Sequence, residues 1–530
     1  MNKKYLYISL VVVVVVIGAV FFSQDKPSFL TRAMYVSTDV SGLPEAKPSE
    51  TAELKNGDTY NLTASYIKKN INGTEYRMLA YNGSIPGPLI KVPQGAEVTI
   101  NFKNDTDLNT LLHSHGVRMD NAFDGSQTTQ KEMKPGETFA YKLKFPDAGI
   151  YWYHPHVKED FQQELGLYGN YLVKPTDSNY WSSVNRETTL FLDDILIEDG
   201  RIPLRKDSTN RTLMGRFGNV ILTNGKTNHT LSAKKGETIR FYITNAANAR
   251  PYNFLIEGVK MKLVGSDGGA QEKDQWINVV RVGPSERAIV EMLFPNSGTF
   301  AIQNVTPKKT YTLGTVNVST DPIEVSYASE FNQLRTHAET IQSVETMRQY
   351  FDKAPDKQIN LTLDIGGNMM SMQGMGHGGH MMPSGQMMGG SMTVQTSPDG
   401  IEKEDTNPIM NQMSDTESIK WKMIDQATGK VNDDIDWTFK KDRPVKIRIE
   451  NDPNSMHPMQ HPIHFHGQQF LVLAVNGIPQ TDLVWKDTVM APSGQTVDVL
   501  LNPTNPGVWM AHCHIAEHLT DGMMMKFKVE

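Results

Sequence analysis

The chain is predicted to fold as an all-β protein made of several sandwich domains. Residues 98–102, 239–243 and 445–449 each alternate apolar and polar side chains, as strands with one buried face do. Turn-forming Gly, Pro and Asn separate such stretches, as in residues 82–88. At roughly 150 residues per domain, a chain of 530 residues has room for about three or four domains, so a single small domain is excluded.

The composition excludes several classes of protein. The hydrophobic share of 38% and the charged share of 21% are ordinary for globular proteins and exclude a disordered chain. Lys and Arg number 52 against 59 Asp and Glu, and no basic run forms the stripe that binds phosphates, so no nucleic acid partner is expected. Cys513 is the only cysteine, which excludes an intrachain disulfide.

The first 24 residues predict a segment for export. Lys3 and Lys4 precede an uninterrupted apolar stretch at residues 5–22, after which the chain becomes polar. This stretch reaches the lower limit of a membrane span and no clear small-residue cleavage site follows, so residues 1–24 are interpreted as a signal peptide or a membrane anchor. The lysines before the span place the rest of the chain outside the cytoplasm, secreted or anchored to the outer face of the cytoplasmic membrane.

Changes of pattern along the chain predict the domain limits. Boundaries are expected after residue 175, where a Leu-Val-Lys-Pro stretch ends, and near residue 325. The predicted units are domain 1 at 50–175, domain 2 at 176–325, a linker at 326–354 and domain 3 at 355–530. The linker is predicted to be helical, because apolar residues recur on one side of it, namely Leu334, Ala338, Ile341 and Val344.

A methionine-rich tract interrupts domain 3. Residues 369–392 contain nine Met, seven Gly, His377, His380 and no charged residue. The tract is too rich in glycine to pack a core, so it is predicted to be a mobile insertion.

Most histidines lie in four short motifs. The motifs are His-Ser-His-Gly, His-Pro-His, His-Pro-Ile-His-Phe-His-Gly and His-Cys-His with one further His. Side chains at i and i+2 of a strand share one face, so each His-x-His offers two imidazoles side by side. Such clusters of imidazole are typical of transition-metal sites. Ten of the 15 His belong to the motifs: His113, His115, His154, His156, His461, His464, His466, His512, His514 and His518.

Cys513 lies between His512 and His514 and is expected to face away from both on a strand. One metal held by the thiolate and another held by the flanking imidazoles are then joined through a few covalent bonds. That arrangement favours electron transfer. A redox-silent ion such as zinc would make no use of it, so copper is predicted.

Three further residues can complete the site of the thiolate. His461 is three residues before His464 and so faces the opposite side of the strand, toward Cys513. His518 can loop back to the same metal, and Met523 can approach it axially. Two His, one thiolate and a thioether are the ligand set of a blue-copper site. The eight remaining His of the motifs suffice for three further coppers, which gives four in total.

All four motifs, together with residues 81–88 ahead of the first, resemble those of the multicopper oxidases over about residues 50–530. The resemblance implies three cupredoxin-like Greek-key β-sandwich or barrel domains, with a trinuclear copper cluster between the first and the third. It implies a type 1 copper held by His461, Cys513 and His518, with Met523 axial. It implies a type 2 copper held by His113 and His464, and a type 3 copper pair held by His115, His154, His156, His466, His512 and His514.

The reaction that the resemblance implies is the reduction of dioxygen to two waters with four single electrons from a reductant. Cys513, His512 and His514 would connect the type 1 copper with the cluster. Asp124 stands where many relatives carry an acid that assists proton delivery, and it also fits an Asp-Gly turn. Several bacterial relatives carry a second acid directly after the last type 1 histidine. Leu519 stands there in this chain, so the main proton donor is expected elsewhere.

The Met-rich tract resembles the insertion of bacterial cuprous oxidases of the copper-tolerance type. Thioether sulfur is a soft ligand that prefers Cu(I) to Cu(II). Met459, two residues before a type 1 histidine, is expected to belong to the substrate site, with Met456 and His457 beside it. Leu363 and Asn368 stand where such relatives carry Met and Asp, so this site is expected to be altered.

The resemblance therefore predicts an extracytoplasmic, monomeric oxidase of Cu(I) that acts in copper tolerance. Two other enzymes are alternatives, a laccase-type phenol oxidase and a ferroxidase. A copper-binding scaffold without turnover is disfavoured, because all twelve ligand positions are filled.

Asp487 resembles a position near the type 1 site of relatives, or is a polar residue at a strand edge.

Overall fold

The described residues form three β-sandwiches, with two short helices between the second and the third, and this architecture confirms the predicted all-β, cupredoxin-like fold class. The structure, a computed structural model, describes residues 35–203, 209–307, 309–365, 380–381, 387–388, 419–455, 457 and 459–530. The predicted export segment lies outside these residues, as do Met456, Asn368 and all of the Met-rich tract except two residue pairs.

The first sandwich contains nine strands. They are β1 (Thr51–Glu53), β2 (Thr59–Ile71), β3 (Thr74–Tyr81), β4 (Leu89–Pro93), β5 (Glu97–Asp105), β6 (Leu112–His115), β7 (Thr138–Lys144), β8 (Gly149–Pro155) and β9 (Gly169–Lys174). One sheet has the order β1-β4-β9-β8-β6 and the other β3-β2-β5-β7. In β5, Val98, Ile100 and Phe102 are buried while Thr99 and Asn101 are half-buried, which confirms the predicted alternation.

The described residues of the second sandwich form eleven strands. They are β10 (Arg186–Ile195), β11 (Val220–Thr223), β12 (His229–Lys234), β13 (Thr238–Asn245), β14 (Tyr252–Ile256), β15 (Met261–Ser266), β16 (Gly269–Ile277), β17 (Val280–Val282), β18 (Arg287–Leu293), β19 (Gly298–Val305) and β20 (Thr310–Ser319). Its sheets have the orders β11-β10-β13-β18-β15-β16 and β12-β20-β19-β14-β17.

Strand β13 departs from the predicted pattern because both of its faces are buried. Tyr242 belongs to a small apolar cluster with Ile150 and Leu172 of the first sandwich, so the outer face of the sheet is covered. Arg240 is buried as well, and its charge is compensated by an ion pair with Glu291. The packing of two sandwiches against each other thus overrides the alternation in the sequence.

The described residues of the third sandwich and of its insertion form the remaining fourteen strands. They are β21 (Lys357–Ile365), β22 (His380–Met381), β23 (Met387–Met388), β24 (Ile419–Asp425), β25 (Asp436–Phe439), β26 (Val445–Asn451), β27 (His461–Phe465), β28 (Gln469–Val475), β29 (Ile478–Pro479), β30 (Trp485–Lys486), β31 (Thr488–Ala491), β32 (Thr496–Asn502), β33 (Gly507–Cys513) and β34 (Met524–Val529). Its sheets have the orders β24-β21-β26-β32-β28-β29, with β30 also paired to β28, and β25-β34-β33-β27-β31, and β22 forms a separate two-stranded sheet with β23. Strands β21 and β24 are antiparallel, so the chain leaves this sheet after Ile365 and returns opposite it at Ile419.

The described helices are short. They are α1 (Glu159–Gln162), α2 (Thr209–Met214), α3 (Ala328–Phe331), α4 (Ala338–Glu345) and α5 (Ala516–Thr520), with 3₁₀ turns at Asn121–Phe123, Arg348–Tyr350 and Asn432–Asp434. Among the residues that the structure describes, none of the helices is long and apolar enough to cross a membrane.

The predicted linker helix is interrupted, and its apolar side begins later than expected. Leu334 lies before α4 and is exposed, whereas Val344 within α4 is buried. The interruption has a local cause, since the backbone N–H of His337 donates to the carbonyl oxygen of Glu272 in β16 at 2.8 Å. The chain pairs with the edge of the second sandwich at this point, and a helix cannot continue through such a bridge.

Candidate copper centres

Strand pairing brings the four histidine motifs together at the junction of the first and third sandwiches. In the first sandwich β6 pairs with β8, which sets His113 opposite His154. In the third, β27 pairs with β33, which sets His464 opposite His512. Each pair therefore presents imidazoles from two adjacent strands.

Cys513 gathers one group of side chains within the third sandwich. Its Sγ lies 3.5 Å from Nδ1 of His461 and 3.6 Å from Nδ1 of His518. Met523 is fully buried in the same core. Its backbone N–H donates to the carbonyl oxygen of His518 at 2.9 Å, and its own carbonyl oxygen accepts from the N–H of Cys513 at 3.1 Å. The structure thus brings together all four residues expected at the type 1 copper.

The other eight histidines meet between the first and third sandwiches. Three groups have ring nitrogens within 4.8 Å of one another. The groups are His115 with His154 and His514, His156 with His466 and His512, and His113 with His115 and His464. The first two groups each combine three of the six type 3 residues, and the third contains both type 2 residues.

Several ring nitrogens of these histidines are buried without a hydrogen-bond partner among the described residues. Such atoms are costly to bury unless something binds them. The unpaired atoms are Nε2 of His113, His154, His464 and His514 and Nδ1 of His115. Imidazole nitrogens are preferred ligands of copper. The donor set therefore fits copper ions between the two sandwiches.

The second nitrogen of most rings is held by the protein. Nδ1 of His113 donates to the carbonyl oxygen of Asp124 at 2.7 Å, and Nδ1 of His464 donates to that of Asp487 at 2.8 Å. His154 and His512 donate in the same way to the carbonyl oxygens of their following residues. Such bonds fix the tautomer and the ring orientation of a metal ligand.

Burial sets the protonation of the whole cluster. It lowers the pKa of His113, His156 and His512 to about 4 and that of His461 to about 3. The rings are therefore neutral near pH 7, and their lone pairs are available to metal ions. Burial also raises the pKa of the Cys513 thiol far above its ordinary value, so the thiolate needs a metal to stabilise it.

Asp124 lies inside the cluster and is fully buried. Its carboxylate oxygens are 3.0 and 3.1 Å from Nδ1 of His466, and Oδ1 is 3.5 Å from Nδ1 of His113. The residue also ends the 3₁₀ turn Asn121–Phe123 and precedes Gly125, whose φ is +76°. The position therefore combines the acid and the turn that the sequence suggested.

Asp487 directly precedes β31, the edge strand of its sheet, and its carboxylate contacts the cluster of eight histidines. It is 1% exposed, and its Oδ1 lies 3.0 Å from Nε2 of His115 in that cluster. Arg287 of the second sandwich compensates its charge, with Nη1 donating to Oδ1 at 2.7 Å. Gly116 makes room for this pair, because its φ is +81° and a Cβ would lie 2.2 Å from Asp487 Oδ2. The ion pair joins residues 200 positions apart, so no local pattern could indicate it.

Glu159 is a further acid at the cluster that the sequence did not single out. Its Oε1 lies 2.8 Å from Nδ1 of His156, and burial raises its pKa to about 8. Glu159 and His156 line a cavity of about 640 Å³, and Leu519 lines the same cavity. The only signal in the sequence is an acid three residues after a predicted ligand.

Two residues of the expected substrate site are described. Met459 is fully buried in the core of the third sandwich, and Asn451 donates to its carbonyl oxygen at 2.5 Å. His457 is half-buried, and its Nε2 lies 2.9 Å from Sδ of Met214. Met214 belongs to the second sandwich and was not predicted. Met456 lies outside the described residues.

Comparison with known proteins agrees with this geometry. Sequence models of the multicopper oxidase family match residues 63–178, 186–321 and 402–530, which together are more than half of the chain. Multicopper oxidase mco of Staphylococcus aureus is 27% identical over 473 residues, which cover 88% of this chain and 86% of that protein. A copper resistance protein A homolog of Pseudomonas syringae pv. tomato is 24% identical over 564 residues, an alignment that covers 89% of this chain and 92% of that protein.

The solved structures agree in fold. A multicopper oxidase from Campylobacter jejuni, described as a metallo-oxidase, superposes with a TM-score of 0.66 at 22% identity, over 92% of this chain and 98% of that one. McoA from Aquifex aeolicus superposes with a TM-score of 0.65 at 21% identity, over 92% of this chain and 99% of that one. The chain therefore belongs to the multicopper oxidase family, enzymes that use copper to couple the oxidation of a substrate to the reduction of dioxygen.

Proposed function

We propose that this enzyme oxidises Cu(I) to Cu(II) with dioxygen as the electron acceptor, outside the cytoplasm, in copper tolerance. The observation that carries the proposal is the place where the Met-rich insertion leaves the fold. The chain departs after Ile365 and returns at Ile419, two residues before Trp421. The ring of Trp421 packs at 4.1 Å from that of His518 and at 4.9 Å from that of His461. The described residues that flank the insertion are therefore two positions from a residue that packs on the proposed type 1 ligands, and the thioethers of the insertion suit a cuprous ion.

The groups of neighbouring side chains support the following ligand assignment. His461, Cys513, His518 and Met523 would hold the type 1 copper. His113 and His464 would hold the type 2 copper, and the type 3 pair would take His115, His154, His156, His466, His512 and His514. When bound, these coppers supply one-electron redox chemistry and a place for dioxygen. Cys513 is bonded through the main chain to His512 and His514, so a few covalent bonds connect the two kinds of site.

The chain's own residues have to supply protons and keep the site dry. Each cuprous ion gives up one electron and leaves as Cu(II), and four electrons with four protons convert one dioxygen to two waters. Asp124 is placed to hold a proton near His466, since its carboxylate is 3.0 Å from Nδ1 of that ring. Trp421 and the core around it exclude water from Cys513, which is fully buried.

Soft donors near the type 1 ligands support a metal ion as the reductant. Met459 lies two residues before His461 and is buried in the same core as Cys513. His461 and His518 are at most 1% exposed, so a bulky phenol cannot contact either ring directly. The copper-resistance relative from Pseudomonas syringae supports this reading, although an iron transport multicopper oxidase from Gibberella zeae is also similar to the chain.

The proposal has two further parts. Residues 1–24 export the chain, as a signal peptide or an anchor, and the enzyme is a monomer. The predicted limits of the three domains and of the linker are part of it as well. The hydrophobic cores of the three sandwiches support three folding units, each centred on one pair of sheets.

Oxygen consumption by the copper-loaded enzyme tests the function directly. The reductants to compare are Cu(I), Fe(II) and a bulky phenol, with the wild type, Met459→Leu and a control, Met292→Leu, in the core of the second sandwich. We expect Cu(I) to give the highest kcat/KM. We expect the ratio of kcat/KM for Cu(I) to that for the phenol to fall about tenfold in Met459→Leu and to stay constant in the control. Faster turnover of the phenol without added copper would instead make the enzyme a laccase.

A further inference from the structure

A segment of the second sandwich covers the proposed type 1 ligands of the third. The carbonyl oxygen of Leu213, near the end of α2, accepts a hydrogen bond from Nε2 of His518 at 3.1 Å. The carbonyl oxygen of Thr212 accepts one from Nε1 of Trp421 at 2.7 Å. Both Leu213 and Met214 belong to the same hydrophobic core as Cys513. The end of α2 is thus a wall of the type 1 site.

Met214 meets a histidine of the third sandwich at this wall. Its Sδ lies 2.9 Å from Nε2 of His457. Met214 is 6% exposed and His457 is half-buried, so the two donors lie just beneath the surface. His457 is four residues before His461, and Met214 directly follows Leu213, whose carbonyl oxygen bonds His518. The pair is therefore adjacent to the type 1 ligands and within reach of ions from solvent.

A thioether beside an imidazole is a donor set that suits a soft, monovalent metal ion. We propose that Met214 and His457 together bind the cuprous ion that is to be oxidised. This inference deepens the proposed function and rests on it. Methionine has three rotatable bonds, so the thioether can move aside to admit the ion between sulfur and nitrogen. Burial lowers the pKa of His457 to about 4, which leaves its ring neutral and able to bind a cation near pH 7.

The backbone next to Met214 is held by contacts that the two following residues make with all three sandwiches. Gly215 follows it with a φ of +72°, and a Cβ there would lie 2.5 Å from the side chain of Ala249. The next residue, Arg216, is 5% exposed, and its Nε lies 3.5 Å from Glu164 of the first sandwich and 3.6 Å from Glu517 of the third. These contacts hold the end of α2 in place without a metal.

The competing explanation is that Nε2 of His457 donates a hydrogen bond to Sδ of Met214 and that the contact serves only packing. The two explanations differ in what a leucine at position 214 changes. A packing contact predicts an effect on stability alone. A binding site predicts the loss of a soft-metal ion from this position and a selective loss of Cu(I) turnover.

Silver provides a readout that does not depend on turnover, because Ag(I) is a soft monovalent ion that the enzyme cannot oxidise. Crystals of the full-length, copper-loaded enzyme soaked in Ag(I) should show an anomalous peak between Sδ of Met214 and Nε2 of His457. The peak should be absent from Met214→Leu and present in Met261→Leu, a matched change in the core of the second sandwich. Absence of silver between the two atoms in the wild type would overturn the inference.

Kinetics with two reductants give the second readout. The ratio of kcat/KM for Cu(I) to that for a phenol should fall about tenfold in Met214→Leu and in His457→Phe, as expected for the loss of one metal contact. His457→Met keeps a soft donor and should restore most of the ratio. If the wild type oxidises Cu(I) and Met214→Leu matches it, only the assignment of Met214 and His457 is refuted. If the wild type does not oxidise Cu(I) at all, the proposed function fails as well.

Discussion

Glu159 should make the copper-free protein less stable as the pH rises from about 4.5 to about 8. The ordinary pKa of a glutamate is 4.5, and burial raises that of Glu159 to about 8. Below pH 4.5 the carboxyl is neutral in both the folded and the unfolded chain. Above it the unfolded chain releases its proton first, so the folded state loses stability until the pH passes the folded pKa. A difference of about 3.5 units at about 1.4 kcal/mol per unit gives about 5 kcal/mol over this range.

The substitution Glu159→Gln removes this ionisation while it keeps the size and the polarity of the side chain. The variant should therefore gain stability relative to the wild type as the pH rises, by about 3 kcal/mol at pH 7. The measurement is the urea midpoint of the copper-free protein at half-unit steps between pH 5 and pH 9. His156, His512 and Asp160 surround the carboxyl and are unchanged in both proteins, so they cancel in the difference.

Glu97→Gln is a suitable control, because the side chain of Glu97 is 68% exposed. Its midpoint should follow that of the wild type at every pH. Parallel curves for Glu159→Gln and the wild type between pH 5 and pH 9 would refute the reasoning, since they would mean that the carboxyl ionises equally easily in the folded and unfolded chains.

Three further predictions concern the copper centres. Cys513→Ser should abolish the blue absorbance and the turnover of the copper-loaded enzyme, and undiminished oxygen consumption would contradict the proposed type 1 site. Asp124→Asn should lower turnover about 100-fold or more at unchanged copper content, as the loss of a positioned acid does, and an unchanged rate would exclude a part for this carboxyl in proton supply. Arg287→Met leaves Asp487 buried without its ion-pair partner, so it should cost about 3–5 kcal/mol of stability in urea unfolding, whereas the surface change Arg443→Met should cost almost nothing.

Local patterns predicted the fold class because strand periodicity is a property of neighbouring residues. The alternation in β5 matches the burial of Val98, Ile100 and Phe102. The same reasoning failed for Arg240, whose burial depends on Glu291 fifty-one positions away. It failed for Leu334 because the chain pairs with β16, an edge strand of the second sandwich, before α4 begins.

The candidate site likewise contains residues that local spacing predicted and residues that it could not predict. Spacing within the motifs was enough to separate His461 from His464, because residues three apart on a strand face opposite sides. Asp487 could not be placed, since its neighbours His115 and Arg287 are distant in the sequence. Met214 was missed for a related reason, because only the packing of the second sandwich against the third brings its sulfur to His457.

One short segment supplies ligands to several of the proposed copper sites, and this has a consequence for biosynthesis. Residues 512–518 contribute to the group around Cys513 and to both groups expected to hold the type 3 pair, and they belong to the third sandwich, which follows the other two along the chain. A polypeptide that ends prematurely, or is still being made, lacks these ligands however well its earlier sandwiches have folded. Incorporation of the full complement of metal therefore requires that the third sandwich has been synthesised and has packed against the first.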